Sequence, residues 1–505
     1  MITRAPRSTK VLIWLAKKYI NKISNSYYKK HDQKLPIILV AGTAGKSSTT
    51  FLIKQLFQNN SWEVFSGASQ ESCLNSLSGI VMVLTNNYPS FEGNLAGVKK
   101  AKFVLTSLLK LFTISYDLPK ESIFVYEVGF NEQNEANYFL EVFSSLVSEL
   151  IITNLTYEHS EGFARQFDQN SYDQIKLKLP VNWRKIFENS KLDPLLKNIA
   201  LEQFKLAKLT KKIIIPDDIG NIKNSLQSNL TGTYKNHKVI TKRGPNFSLL
   251  IENKFAFSDE YLLPITFGKY IYILALLSSQ YELNPKNLIK TLKQPQLPNG
   301  RFGILQGQFK TTIIDSTYNS DPSSLIGYLE LFKEVVTSFK NWEEYISKNP
   351  DPNNPINSPK HYLILGEMRE LGDTSIEAHS KILVELMEIG KQYRDYIQEI
   401  ILIGREWLKC DQNKIPKTHG DINYITFNNQ IFKVYLRSGD VNKTLTPDTV
   451  RPHSWFWLKG SQNTIFLEIT AQHLLQNPKD QSRLCRRGED WDQIREEWSG
   501  RFCKS

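Results

Sequence analysis

The stretch from Pro36 to Thr50 constrains this chain more than any other. Ile37 to Ala41 is an unbroken apolar run, Gly42 and Gly45 bracket a short turn, and Lys46-Ser47 open a segment carrying Phe51, Leu52, Leu56 and Phe57 at helical spacing. Strand, glycine turn and helix in that order predict a buried parallel strand feeding a helix N-terminus. Such an N-terminus presents backbone N–H groups to an anion; Lys46 would neutralise it and Ser47 would ligate Mg²⁺. The full G-x-x-x-x-G-K-[ST] spacing needs glycine at position 40, where Val40 stands, so only the shorter G-T-x-G-K-S is present.

At 505 residues the chain exceeds one hydrophobic core, and two or three domains are expected. Hydrophobic content of 41% and charged content of 23% fit a globular protein. No run of about 18 apolar residues spans a bilayer as a helix. Val11 to Ala16 is too short an apolar core for a signal peptide. Cys73, Cys410, Cys485 and Cys503 share no metal-ligand spacing and read as reduced thiols, which suggests a cytoplasmic protein. The net charge of +12 is spread along the chain without an aromatic-plus-basic module, which argues against nucleic acid and fits either a basic proteome or an anionic small substrate.

Residues 1–35 form a basic segment with a helix expected over Val11–Ile23, which either packs on the body or rests on an anionic lipid surface. From Pro36 apolar strands alternate with helical stretches. Ile123–Tyr126 and Leu150–Thr153 read as buried strands whose carboxyl ends lead to Glu127 and Asn154, where ligands collect in open α/β sheets. Residues 164–200 read as an irregular polar insertion, 235–266 as short strands, and Lys269–Gln280 as a helix. Pro295–Gly300 marks the likeliest boundary. Beyond it strands are expected at Thr311–Asp315, Tyr362–Gly366 and Glu399–Ile403, with a loop insertion at Asn341–Lys360. The expected division is therefore 1–35, 36–300 and 301–505.

Several short motifs, read together, resemble the Mur ligase family. Gly42-Thr43-Ala44-Gly45-Lys46-Ser47 is similar to its G-T-N-G-K-T, and Glu127-Val128-Gly129 to its E-M-G. Ile152-Thr153-Asn154 with Glu158-His159-Ser160-Glu161-Gly162-Phe163 resembles I-T-N…A-H-L-E-G-F. Gly300-Arg301 matches a G-R at the domain junction. The run from Asp315 through Tyr318 and Asn319 to Ser324 resembles D-D-x-Y-N-A-N-P-x-S. Leu365 to Gly372 with His379 resembles L-G-x-M-x-E-L-G…H, and Lys459-Gly460-Ser461 a late K-G-S. The motifs keep their order over about residues 36–475. Taken alone, Glu127 reads equally as a surface carboxylate, His159 as structural and Arg301 as a surface cation.

The resemblance implies an α/β chain: a P-loop-type central ATPase domain with a mostly parallel sheet, then a C-terminal Rossmann-like ligase domain. It implies an ATP- and Mg²⁺-dependent ligase that activates a carboxylate as an acyl phosphate for attack by an amine. The closest members join D-alanyl-D-alanine to a muramoyl peptide in wall-precursor synthesis. The implied partners are an anionic peptide or nucleotide-sugar-peptide and an amino acid or dipeptide amine. Gly42, Thr43, Gly45, Lys46, Ser47 and Ser48 would cradle phosphate, with Lys46 on the β/γ-phosphates. Ser47 and Glu127 would bind one Mg²⁺ and His159 a second. Arg301, Asp315, Tyr318 and Asn319 would meet the nucleotide.

The chain also departs from the family. Only 35 residues precede the phosphate strand, where the family carries a uridine-binding domain. Ile199 to Leu206 resembles I-A-x-E-K-x-x-L with Gln203 at the position of a carbamylated lysine, leaving Lys176, Lys178 or Lys205 as substitutes. The helix opening G-x-H-x-x-x-N reads Gly268-Lys269-Tyr270-Ile271-Tyr272-Ile273 without its polar pair, so adenine would be stacked or held by backbone. Ser316 replaces an acid, and Gln462 an arginine. These departures keep two alternatives open: a ligase acting on a lipid-linked or polymeric peptide, and a nucleotide-binding partner that has lost catalysis. The tail Arg483–Trp498 reads either as an anion contact or as a helix packing through Leu484, Trp491 and Ile494.

Overall fold

A computed structural model describes the chain outside residues 1–6, 69–73, 87–96, 131, 145, 156–161, 164–165, 180–183, 185–186, 189–192, 216–230, 235–236, 244–248, 252–253, 256–260, 264–266, 294, 349–358, 413–416, 461–464, 490 and 496–505. The chain divides into two compact units, Met1–Ile240 with Gly268–Pro298, and Thr241–Phe267 with Asn299–Ser505.

Unit 1 is built on five parallel strands, β1 (Ile37–Ala41), β2 (Glu63–Ser66), β3 (Ser122–Glu127), β4 (Glu149–Ile152) and β5 (Ile213–Ile214), in the order β2-β3-β1-β4-β5. Every residue of β1, β3 and β4 is buried, as parallel strands covered on both faces require. The helix α1 (Arg7–His31) precedes them, and α2 (Lys46–Asn59), α3 (Leu77–Thr85), α4 (Gly97–Thr113) and α5 (Ala136–Phe143) lie in the connections between them. α1 runs well beyond the expected Val11–Ile23, and its Leu15, Ala16, Tyr19, Ile20 and Ile23 enter the core with Ile80 and Phe103. Residues 164–200, expected to be irregular, instead contain the helix Gln169–Ile175 and most of the helix Pro194–Lys205. The latter starts at Asp193, whose carboxylate accepts from Leu195 N–H, and is buried from Leu195 to Lys205. A helix buried all round shows no amphipathic period for a sequence reading to find.

Four short antiparallel strands follow, β6 (Thr231–Tyr234), β7 (His237–Arg243), β8 (Leu249–Ile251) and β9 (Lys254–Phe255). Unit 2 holds an eight-stranded sheet of β10 (Gly303–Gln306), β11 (Thr312–Ser316), β12 (His361–Gly366), β13 (Ile397–Ile403), β14 (Lys417–His419), β15 (Ile422–Phe427), β16 (Gln430–Tyr435) and β17 (Trp455–Lys459). Its centre, β11-β17-β12-β13-β16, is parallel; β10 on one edge and β15-β14 on the other are antiparallel. The helix Pro322–Lys348 carries on through Asn341 to Lys348, where a loop was expected; it ends two residues before Pro350. Both units are thus α/β with mainly parallel sheets, the architecture anticipated from the sequence.

Candidate functional site

In unit 1 the site is made at the carboxyl edge of the sheet. Register sets Val40 of β1 beside Glu127 of β3, and Ala41 beside Ile152 of β4, so the loop after β1 rises between the ends of both neighbours. Gly42 has φ +121°, and a Cβ there would lie 2.5 Å from Thr153 Oγ1 and 2.9 Å from the Asn154 carbonyl. Gly45 caps α2 at φ +82°, where a Cβ would meet the Tyr270 hydroxyl at 2.2 Å. Both positions admit only glycine, and they let the backbone fold tightly over the first turn of α2.

Three neighbours pin this loop. Gly42 N–H donates to Gln203 Oε1 (2.9 Å), Thr43 N–H donates to the Asn154 carbonyl (2.8 Å), and Thr153 Oγ1 donates to the carbonyls of Ala41 (3.1 Å) and Ala44 (2.7 Å). Lys46 is buried, with Nζ donating to the Thr43 carbonyl (2.7 Å); Ser47 and Ser48 are buried beside it in the first helical turn. First-turn N–H groups lack partners within their own helix, so Lys46 to Ser48 supply both the donors and the positive helix end.

Glu127 ends β3 with only 3% of its surface exposed. Its Oε1 accepts from Asn75 Nδ2 at 3.4 Å, while Oε2 is buried with no hydrogen-bond partner among the described residues. A buried carboxylate oxygen without a donor is costly unless a cation or donor reaches it. That orphaned oxygen, beside two glycines that keep backbone N–H groups close to the loop interior, fits a phosphate chain accompanied by a hard divalent cation. Among the described residues no cluster of three His, Cys, Asp or Glu side chains is arranged to hold a metal. His159, with Glu158, Ser160 and Glu161, lies outside the described residues.

Gln203 has its carbonyl oxygen engaged by Gly42. Of the lysines weighed as its substitutes, Lys205 is buried in an ion pair with Glu202 (2.8 Å) and also donates to Asn134. Lys176 pairs with Asp173 at the surface, and the Lys178 side chain lies outside the described residues. Sequence reasoning noticed Gln203 and placed Tyr270 in an altered helix opening, but saw the contact of neither with the loop, and it missed Asn75. No local pattern marks a contact made across the chain.

Unit 2 gathers the second group of expected residues. Asp315, in β11 between β10 and β17, is buried, and its Oδ1 accepts from Thr317 N–H (3.1 Å) and Thr317 Oγ1 (2.7 Å). Burial pushes its carboxyl up to about 6. Two guanidinium groups approach the Tyr318 ring, Arg301 at 4.5 Å and Arg486 at 5.2 Å from its centroid. Tyr318 N–H donates to the Gly300 carbonyl, and Asn319 Oδ1 accepts from Ser320 N–H. Arg301 Nε is buried without a partner among the described residues.

The tail locks this group in place. Asn299 Nδ2 donates to the carbonyls of Ser482 and Leu484, and Arg486 donates to those of Thr317 and Tyr318. Arg486 and Arg495 flank the fully buried Glu468 at 3.3 and 3.6 Å. Leu484 and Cys485 are buried, and burial raises the Cys485 thiol to about 12. Leu484 is buried as expected but lies just past the short helix Pro478–Arg483 and not within a helix, and the basic tail turns Arg486 inward onto Glu468.

The L-G-x-M…H motif has a structural explanation. His379 Nε2 accepts from Met368 N–H (3.0 Å) and its Nδ1–H donates to the Ser375 carbonyl (2.7 Å), which fixes the turn after β12. Burial lowers the His379 pKa to about 4.

The chain thus pairs an α/β unit that carries a glycine loop at its sheet edge with a second, mainly parallel α/β unit. No family model matches the chain, and no curated protein does. Solved structures do match. MurF from Acinetobacter baumannii is 14% identical over 91% of this chain and 80% of that one, with a TM-score of 0.51. The MurF ligase from Thermotoga maritima, determined in complex with ADP, is 13% identical over 94% of this chain and 84% of that one, with a TM-score of 0.52. At such identities the likeness is one of fold: the chain is folded like a Mur ligase.

Proposed function

We propose that the chain is an ATP-dependent ligase that joins a carboxylic acid to an amine through an acyl phosphate. The observation that carries this reading is the buried, unpartnered Oε2 of Glu127 beside the glycine loop. The fold it shares with the two MurF structures supports it. A carboxylate resists amines because its charge repels them and oxide leaves poorly. With ATP as substrate, the acid oxygen takes the γ-phosphoryl group and ADP leaves. The amine then attacks the carbonyl carbon, loses a proton and expels inorganic phosphate, leaving one amide. Mg²⁺ would neutralise the phosphate oxygens and so ease their approach to the acid.

Lys46 and the N–H groups of Gly45, Lys46, Ser47 and Ser48 would grip the phosphates, with Gly42 and Thr43 shaping the loop. Ser47 and Glu127 would hold the cation, and His159 a second one, as the family resemblance implies. We assign Arg301, Tyr318 and Asn319 to the nucleotide, and Asp315 to it through the Thr317 turn that it caps. The particular reaction proposed is addition of D-alanyl-D-alanine to a muramoyl peptide. A lipid-linked acceptor is the second reading, favoured by the apolar surface described next.

Purified chain with ATP, Mg²⁺, the UDP-N-acetylmuramoyl tripeptide and D-alanyl-D-alanine should release phosphate only when acid and amine are both present. Lys46→Ala should lower that rate by about 10²–10³-fold or more. Phosphate release that ignores both acid and amine, or survives Lys46→Ala, would refute the ligase. Nucleotide binding without hydroxamate formation from any acid would favour the non-catalytic alternative.

A further inference from the structure

The two helices on the outside of unit 1 carry a surface that the ligase reading does not use. On α4, Leu105, Leu109 and Phe112 are 59, 62 and 82% exposed. Their spacing puts them in one stripe, with exposed Lys102 at its end, while buried Phe103 and Ser107 lie on the opposite side of the helix. The stripe is therefore the outward face of a helix already packed through its other side.

α1 lies alongside in the same direction. Tyr19 Oη donates to the Ser107 carbonyl, and Lys22 Nζ to that of Leu111. Its outward face presents Val11, Trp14 and Tyr28 among exposed Lys10, Lys18, Lys29 and Lys30, and Lys18 stands 5.8 Å from the Trp14 ring. Six of the eleven large apolar side chains exposed among the described residues sit on these two helices; the other five are scattered.

Charge narrows the occupant. α1 and α4 together hold no aspartate or glutamate, whereas Lys10, Lys17, Lys18, Lys22, Lys29, Lys30, Lys99, Lys100, Lys102 and Lys110 belong to them. Lys30 pairs with the exposed Asp117 (2.5 Å), which lies outside both helices. Apolar side chains in a stripe, a tryptophan and a tyrosine with polar edges, and a strong excess of lysine over acid are what an anionic bilayer surface accommodates: acyl chains take the apolar groups and headgroup phosphates the lysines. No helix among the described residues is long and apolar enough to cross a membrane, so contact would be lateral. We propose that α4, with α1 beside it, docks unit 1 on an anionic lipid surface.

The proposal is independent of the nucleotide chemistry, and its test does not use turnover. The full chain is mixed with vesicles of phosphatidylcholine alone or containing a quarter phosphatidylglycerol, and bound protein is measured by sedimentation. Binding should require the anionic lipid, weaken between about 50 and 300 mM salt as charges are screened, and fall about tenfold or more in Leu109→Glu/Phe112→Glu. Both residues are exposed, so thermal melting should stay unchanged in that variant. Absence of binding, or binding that the double substitution leaves intact, overturns the proposal. So does light scattering that shows a dimer dispersed by those substitutions, which would assign the stripe to a second copy of the chain.

Discussion

At the scale of single residues, the phosphate loop is over-determined. Gly45→Ala places a methyl group 2.2 Å from the Tyr270 hydroxyl at a left-handed backbone position. It should cost roughly 1–3 kcal/mol of stability from backbone strain alone, read from urea midpoints. Adding Tyr270→Phe should recover part of the loss, because the clash eases but the φ does not. Gln203→Leu leaves the Gly42 N–H buried without its acceptor and should cost about 1–3 kcal/mol. It should also raise the KM for ATP more than it lowers kcat, since the loop loses its brace but not Lys46. An unchanged urea midpoint in Gln203→Leu would show that the brace carries no energy. The loop residues were legible in the sequence because strand, turn and helix follow one another there. The Gln203 bond was not, since it joins positions 161 residues apart.

At the scale of elements, the parallel strands β1, β3, β4, β11, β12 and β13 were legible because apolar runs between turn residues announce them. The helix Pro194–Lys205 was hidden by its uniform burial, and the full length of α1 by its exposed lysines. The tail's role depends on a buried charge pair that no local pattern reveals. Arg486→Ala strips Glu468 of its nearer cation and should destabilise unit 2 by about 3–5 kcal/mol, measured by urea unfolding. Arg486→Lys should recover only part, because an ammonium cannot span Thr317, Tyr318 and Glu468 together.

The same unit has a defined response to acid. Burial lowers His361 to about 3 and His379 to about 4, from ordinary values near 6.5. The unfolded chain binds more protons at these positions, so their stabilisation is present above about pH 6.5 and is lost as pH falls toward 4. Asp315, raised to about 6, acts oppositely: protonation relieves its burial as pH falls from about 6 toward 4. Two histidines against one aspartate predict a net fall in the urea midpoint from pH 7 to 4.5, steeper in Asp315→Asn. A midpoint that rises over that range would contradict the burial of His361 and His379.

At the scale of the whole molecule, the alternation of strands and helices indicated two mainly parallel α/β units, and the structure has them. The substrate is less legible, because it is set by surfaces and distant contacts and not by the strand pattern. The central claim is that the loop after β1 and Glu127 together receive nucleotide phosphates with a divalent cation. Calorimetric titration of the full chain with a non-hydrolysable ATP analogue tests it most directly. The account predicts saturable binding that needs Mg²⁺, weakens by about 10²-fold or more in Lys46→Ala, and loses its Mg²⁺ dependence in Glu127→Gln. No heat of binding with the intact chain, or equal affinity in the chain and Lys46→Ala, would contradict it.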